Sequence, residues 1–442
     1  MRDVLKQWLC VRRRATLICA CCFMPRVLSA ADSSEWSMYI GASHTDNIEL
    51  SSSNNQSDTQ PLAGIALIVK DVRERLSTDI DADISYVGNP SRPYVNRRTP
   101  DSISGTARVS LTASIIPERF FWDIGESFGQ TPINFLAADT PGNRQNTNVL
   151  TTGPRIVFPF GVRNELKLQG GWFTTDFGQS RSDGSGYRAG AVFQHRTSHD
   201  ASLSLELSAS RIEHRQQQGS DDFDVRSAFI AWNRVKGRGT FALDLGYTKL
   251  MQGLSDQHSP LVRVTFARKI SPRSGLSFTL GREFSSAAEA FQSNQTFFGV
   301  AGTLAASQVT SDPFRSDYGL VVWAVAGDRL EMSLQAQGRR ESYESNSSLN
   351  AKSYGLSVEV DRALSSRLRI GMLARYERRE FAVLSTPNNE RRIGVDASFM
   401  LSPSLSLTLL VERNSGSALG IQRDHIESRE TVRINYSPRS RR

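Results

Sequence analysis

The chain has 442 residues, of which 39% are hydrophobic and 22% charged, with a mean hydropathy of −0.35. That average excludes a bundle of membrane helices, but not a transmembrane β-barrel, which hides apolar residues at every other position and keeps a polar mean. The formal charge of +8 is concentrated at the start: up to Ala30 there are six basic residues and one acidic, leaving 47 basic against 44 acidic, or +3, in the remainder. The basic residues are scattered rather than clustered, and neither a recognition-helix pattern nor an aromatic RNA-binding box is present, so nucleic acid is excluded as a partner.

The opening segment reads as a secretory signal over residues 1–30. Arg12, Arg13 and Arg14 precede an apolar stretch from Ala15 to Met24, and Ser29, Ala30 and Ala31 supply small residues for cleavage. The apolar core is too short to span a membrane as a helix. All four cysteines, Cys10, Cys19, Cys21 and Cys22, lie inside this leader, so the mature chain has no disulfide and no thiolate metal site. Ile18 to Cys21 loosely resembles a lipoprotein signal, but the bulky Cys19 and the small-residue site from Leu28 to Ala31 favour ordinary cleavage.

From residue 31 to 442 the pattern is that of one unit. Alternation of apolar and polar residues, as from Ser202 to Ile212, recurs from Trp36 to Tyr436 without a long apolar run. Read with the turn residues, it gives about 20 strands, within a range of roughly 16 to 22, each near the ~9–11 residues that a tilted membrane strand requires. Tight connections are expected at Val72–Arg75, Ile115–Glu118, Pro159–Val162, Thr197–Asp200, Ser271–Ser274, Ala363–Ser366 and Ser402–Ser404. Long polar ones are expected at Asp46–Gln60, Gly88–Asp101, Gln130–Asn148, Asp176–Asp183, Arg215–Ser220, Gln252–Ser259, Glu341–Asn350, Leu384–Asn389 and Asn414–Asp424. Short and long take turns, as in an all-β, antiparallel transmembrane barrel with short periplasmic turns and long extracellular loops. A parallel β-helix would stack similar coils without that exchange. Ser285–Arg315 could hold a further strand near Thr296–Ala306, but reading it as one external or lumen-folded loop keeps the strand number even.

Period two then assigns faces. Ile80, Ala82, Ile84 and Tyr86 oppose Asp79, Asp81 and Asp83; Leu166, Leu168 and Trp172 oppose Glu165 and Lys167. Leu330, Met332 and Leu334 oppose Arg329 and Glu331, and Leu368 and Ile370 oppose Arg367 and Arg369. A charge facing lipid costs ~2–4 kcal/mol at the midplane, so these charged sets, with Arg108 and Arg375, are expected to line the lumen. Aromatics near strand ends, among them Trp36, Tyr39, Phe120 to Trp122, Phe158, Phe160, Trp172, Phe173, Trp232 and Trp323, are expected to form interfacial girdles.

Asn143 to Asn148 leading into Gly153, Pro154 and Arg155, the strand end Gly281 to Phe284, and Ser311 to Phe314 carry a resemblance. In these motifs the chain resembles the outer-membrane β-barrel porins encoded with exopolysaccharide and exosortase (PEP-CTERM) clusters of Gram-negative bacteria. The resemblance implies an outer-membrane barrel associated with surface polysaccharide, with polysaccharide or export-complex proteins as partners beside membrane lipid and the barrel assembly machinery. Such barrels usually end on an aromatic residue, whereas here Tyr436 is followed by Ser437 to Arg442, so assembly is expected to read Tyr436 internally.

None of the six histidines stands in a nucleophile or metal motif, and Gly184 and Gly186 read as a loop bend rather than a phosphate cradle. No catalytic residue, metal site or cofactor is expected. Arg offers a planar fork for carboxylates and phosphates, so Arg367, Arg369 and Arg375 could guide an anionic polymer, though pairing with acids on neighbouring strands is the stronger reading. The expected function is an outer-membrane pore or export-linked channel. The alternatives are a plugged structural or adhesive barrel with partner-binding loops and, third, an outer-membrane hydrolase.

Overall fold

The computed structural model describes residues 33–53, 55–88, 102–134, 140–178, 183–214, 222–253, 255–298, 310–384, 387–417 and 424–438. The expected leader therefore lies outside the described residues.

Twenty antiparallel strands form one closed sheet. In chain order they are β1 (Ser33–Thr45), β2 (Asp58–Val72), β3 (Leu76–Val87), β4 (Ser102–Ile116), β5 (Phe120–Pro132), β6 (Arg144–Phe160), β7 (Asn164–Phe177), β8 (Gly184–Arg196), β9 (Ala201–His214) and β10 (Phe223–Lys236), followed by β11 (Gly239–Gln252), β12 (Ser255–Ser271), β13 (Ser274–Ser285), β14 (Phe314–Ala326), β15 (Leu330–Ser342), β16 (Ala351–Ala363), β17 (Leu368–Phe381), β18 (Asn388–Ser402), β19 (Leu405–Gly416) and β20 (His425–Tyr436). Each strand pairs with its chain neighbours, and β1 pairs with β20 to close the wall. Closure leaves no free edge along the paired stretch, which is what a sheet in lipid requires.

Connections at one end span two to four residues, as expected. At the other end they span six residues or more, with one exception. Between β11 and β12 the anticipated long loop is a tight turn, because Asp256 to Ser259 extend β12 and pair with Thr248 to Met251 of β11. The turn residue Gly253 has φ +58°, a conformation glycine adopts without a Cβ clash. Strands run 12 to 17 residues, longer than the span alone demands, since they continue past the bilayer as hairpin stems.

The segment between β13 and β14 carries a helix, α1 (Ala287–Phe298). Its first turn is a capping box: the Ser286 hydroxyl accepts from the Glu289 amide at 3.2 Å, and the Glu289 carboxylate accepts from the Ser286 amide at 3.0 Å. Of the stretch Thr296–Ala306, residues 296–298 belong to α1 and residues 299–306 lie outside the described residues.

The outer face is apolar. Met38, Ile40, Leu205, Leu207, Leu245, Met372, Ile393 and Val411 all point outward and are exposed. On β16 the outward residues between Lys352 and Arg362 are Tyr354, Leu356, Val358 and Val360. About ten residue steps at ~3.3 Å, tilted ~40°, give an apolar height of roughly 25 Å, the thickness of an outer-membrane barrel's lipid band.

Outward aromatics collect toward both ends. Trp36 and Tyr436 meet edge-on at 6.0 Å near the short turns, where Trp232 packs on Phe241 at 5.5 Å and Phe266 on Phe278 at 5.5 Å. Tyr39, Phe121 and Phe173 depart from the girdle expectation. All three point inward, under the guanidiniums of Arg433, Arg155 and Arg188.

The β1–β20 seam is short. It joins only Met38–Thr45 to Arg429–Tyr436, whereas β19 pairs β20 along its whole length. Near the long loops the seam is locked by Glu427, which accepts bonds from Thr45 of β1 at 2.6 Å and Asn414 of β19 at 2.8 Å and is paired with Arg429 at 2.8 Å.

Candidate pore lining and mouth

Strand register places Asp79, Asp81 and Asp83 on the inward face of β3, with Arg108 of β4 opposite Asp81. Glu165 and Lys167 point inward from β7, Glu331 from β15, and Arg369 and Arg375 from β17. Arg329 and Arg367 sit in turns just ahead of β15 and β17, so they lie at the rim and not along the wall.

Most inward cations are committed to a carboxylate. Arg155 holds Asp123 through two bonds of 2.8 and 3.1 Å. Arg263 bridges Glu283 at 2.9 Å and Asp244 at 3.3 Å and lies over the Phe229 ring. Lys167 pairs with Glu165 at 2.7 Å, and Arg392 with Glu412. On β17, Glu377 lies between Arg375 at 2.9 Å and Arg379 at 2.6 Å, with its side chain only 4% exposed. Arg369 is looser, 3.8 Å from Glu331 and 53% exposed. The ladder Arg367, Arg369 and Arg375 is thus not a row of open anion ligands.

Among the described strand residues, acidic side chains outnumber basic ones on the inner face. Glu359 and Asp361 of β16 stand near Asp396 of β18, and both aspartates lean over Gly371 of β17 between them. Together with Asp79, Asp81 and Asp83, they give the lining a negative balance.

Two inward tyrosines occupy space that only glycine leaves. The Tyr39 ring covers Gly64 and donates to Asp83 at 2.9 Å; the Tyr318 ring covers Gly281 and donates to Glu283 at 3.1 Å. An added Cβ at either glycine would stand 2.3 Å from the ring. Gly186, expected in a loop bend, is instead inside β8, pressed by the Phe173 ring.

At the long-loop end the lumen turns apolar. Phe173, Ile212, Phe223, Leu250 and Phe284 form an inward cluster. Beside it Ala290 of α1 packs on Phe314 and Tyr343, whose rings lie 5.0 Å apart. Burial pushes the Tyr343 hydroxyl well above its usual range, and the nearby Glu341 carboxylate adds to the shift. The stretch from 343 to 350 leans across as well, since Ser345 donates to Gln252 at the end of β11 at 3.4 Å. The mouth is therefore narrowed by α1 and this connection. The signal for α1 was present in the sequence as Ser286, Ala287, Ala288, Glu289, the S-x-x-E spacing of a capping box.

The histidines are dispersed. His44 bonds Thr59 at 2.8 Å and His195 bonds Asn164 at 2.7 Å; His258 stacks on Tyr247 and His214 leans on Phe223. In the short turn before β9 the Ser198 hydroxyl, with help from His199 and Arg234, holds the Asp200 carboxyl below the usual carboxylate range. That set pins a turn. No group of three or more potential metal ligands converges among the described residues.

No family model matches the chain, and no curated protein matches it. Among solved structures, the siderophore receptor PirA from Acinetobacter baumannii is similar with a TM-score of 0.48 and 9% identity over 92% of this chain and 81% of that one. The FrpB iron transporter from Neisseria meningitidis (F5-1 variant) gives 0.47 and 8% over 93% and 83%, and the copper transporter OprC gives 0.44 and 9% over 91% and 80%. At these scores the likeness carries no argument about what this barrel moves. The closed register, apolar band and inward charges themselves define an outer-membrane β-barrel.

Proposed function

We propose that the chain is a pore of the outer membrane, with short turns in the periplasm and a mouth narrowed by α1 on the outer side. The observation that carries this reading is the lining: charges of both signs run along the inner wall of a 20-stranded barrel. Barrels of about 16–18 strands already enclose an aqueous channel. The negative balance favours small cations over anions, since rings of carboxylates lower the barrier for positive ions. Association with surface exopolysaccharide rests on the sequence resemblance, and a strongly anionic polymer fits this lining poorly. Tyr436, outward and seated on Trp36, is proposed as the contact read during assembly.

Purified, heat-modifiable protein in planar bilayers should show stepwise conductance with a mild cation preference. Folded protein that inserts and never conducts would refute the pore. That outcome favours the second reading, a plugged barrel, for which the helix and the 343–350 connection folded into the mouth are the supporting observations.

A further inference from the structure

The outer wall is not evenly covered. Between β12 and β16, near the long-loop end, a groove of about 740 Å³ opens on the outer face. Its floor is a glycine pair, Gly319 of β14 directly opposite Gly338 of β15. Leu280 stands beside Gly319 on one side and Tyr354 beside Gly338 on the other. A Cβ at Gly338 would meet nothing nearer than the Tyr354 ring at 3.6 Å. At Gly319 a Cβ would stand 3.0 Å from the Leu280 side chain, so that glycine makes room for Leu280, whereas packing of the wall does not demand glycine at Gly338, whose effect is to leave a trough between Leu280 and Tyr354.

One outward row closer to the long loops, four neighbouring strands present Arg282, Asp317, Arg340 and Lys352 in register. Arg282 holds Asp317 through two bonds. Glu380, across from Lys352 on β17, is bound by Arg378. Arg340 and Lys352 remain exposed without an ion-pair partner among the described residues. An apolar trough that runs beneath two cations at the upper edge of the lipid band complements an amphiphile with an anionic head. We propose that this groove binds a membrane lipid with a net-negative phosphate headgroup, its phosphate on Arg340 and Lys352 and an acyl chain along Gly319 and Gly338. The site rests only on the outer face meeting lipid and stands whether or not the lumen conducts.

The test is native mass spectrometry of the purified full chain titrated with phosphatidylglycerol, with phosphatidylcholine and with inorganic phosphate. One phosphatidylglycerol should bind in preference to phosphatidylcholine, and the Arg340→Gln/Lys352→Gln variant should bind it roughly 30-fold more weakly, about a factor of five per cation lost. Gly338→Leu, which keeps both cations and fills the trough, should lose the same lipid, and millimolar phosphate should not displace it. Both variants should stay heat-modifiable, because Gln lies at the headgroup level and Leu faces lipid. Unchanged affinity in the double-cation variant, equal binding of phosphatidylcholine, or displacement by phosphate alone would each overturn the proposal.

Discussion

Arg369 and Arg375 both point into the lumen from β17, yet their replacement by Glu should have very different consequences. Arg369 is half exposed and 3.8 Å from Glu331, so its loss removes a solvated pair of about 0–1 kcal/mol. Arg375 is 14% exposed and shares Glu377 with Arg379. Arg375→Glu removes one cation from a buried carboxylate and places a second carboxylate about 4 Å away. Breaking a buried pair costs about 3–5 kcal/mol. Repulsion at that distance amounts to about 4 kcal/mol at an effective dielectric of ~20, not additive with the first term because lumen water relaxes both. A net loss of about 3–5 kcal/mol is at least a hundredfold in the folding equilibrium, against less than tenfold for Arg369→Glu. Guanidinium unfolding in micelles, followed by tryptophan fluorescence, reads both. The exchange Arg375→Glu/Glu377→Arg should recover part of the loss by restoring opposite charges. If the two single variants unfold within about 0.5 kcal/mol of each other, or the exchange recovers nothing, the pairing argument fails.

On the outer wall, Leu207→Arg should lower stability by about 2–4 kcal/mol and impair assembly, while the inward neighbour Ser208→Arg should assemble normally; heat-modifiability of both decides the face assignment. Gly281→Ala should cost about 1–3 kcal/mol through the Tyr318 ring, and adding Tyr318→Ser should return most of it in the same unfolding assay. Ser286→Ala should weaken the α1 cap by about 1 kcal/mol, loosening the helix in the mouth and raising open-channel noise or mean conductance in bilayers; an unchanged trace would separate the helix from the conduction path. An epitope inserted between 343 and 350 should be reachable on intact cells and one between 197 and 200 should not, and equal labelling would contradict the assigned sidedness.

The wall was legible because its information is local. Period two gives each strand's faces without knowledge of its partners, and turn residues mark where the chain reverses. Places where length had to be judged from polarity alone misled: Gln252–Ser259 is polar enough for a loop, but its backbone pairs with β11, and the hydrophilic side chains belong to a hairpin stem beyond the bilayer. Inward aromatics such as Phe121 and Phe173 could not be told from girdle residues by position near a strand end, since their partners, Arg155 and Arg188, lie on adjacent strands. The same holds for charge. An Arg on β17 looks available in one dimension, and only its two-residue spacing to Glu377 on the same face hints that it is taken.

The seam between β1 and β20 sets the order in which the barrel can be made. Every other strand meets a partner a hairpin away, whereas the Ser43–Thr431 contact spans 388 residues. As a free coil, a loop of that size would cost about 5 kcal/mol to close before any constant term, so zippering of the intervening hairpins has to come first. Even then the final join has fewer rungs than any other, and five residues at the start of β1 extend past the end of β20. The Thr45 bond to Glu427 consequently acts as the clasp of the cylinder: Asn414 and Arg429 hold that carboxylate in place within the last hairpin, and the bond itself engages only when the two ends of the chain have arrived together.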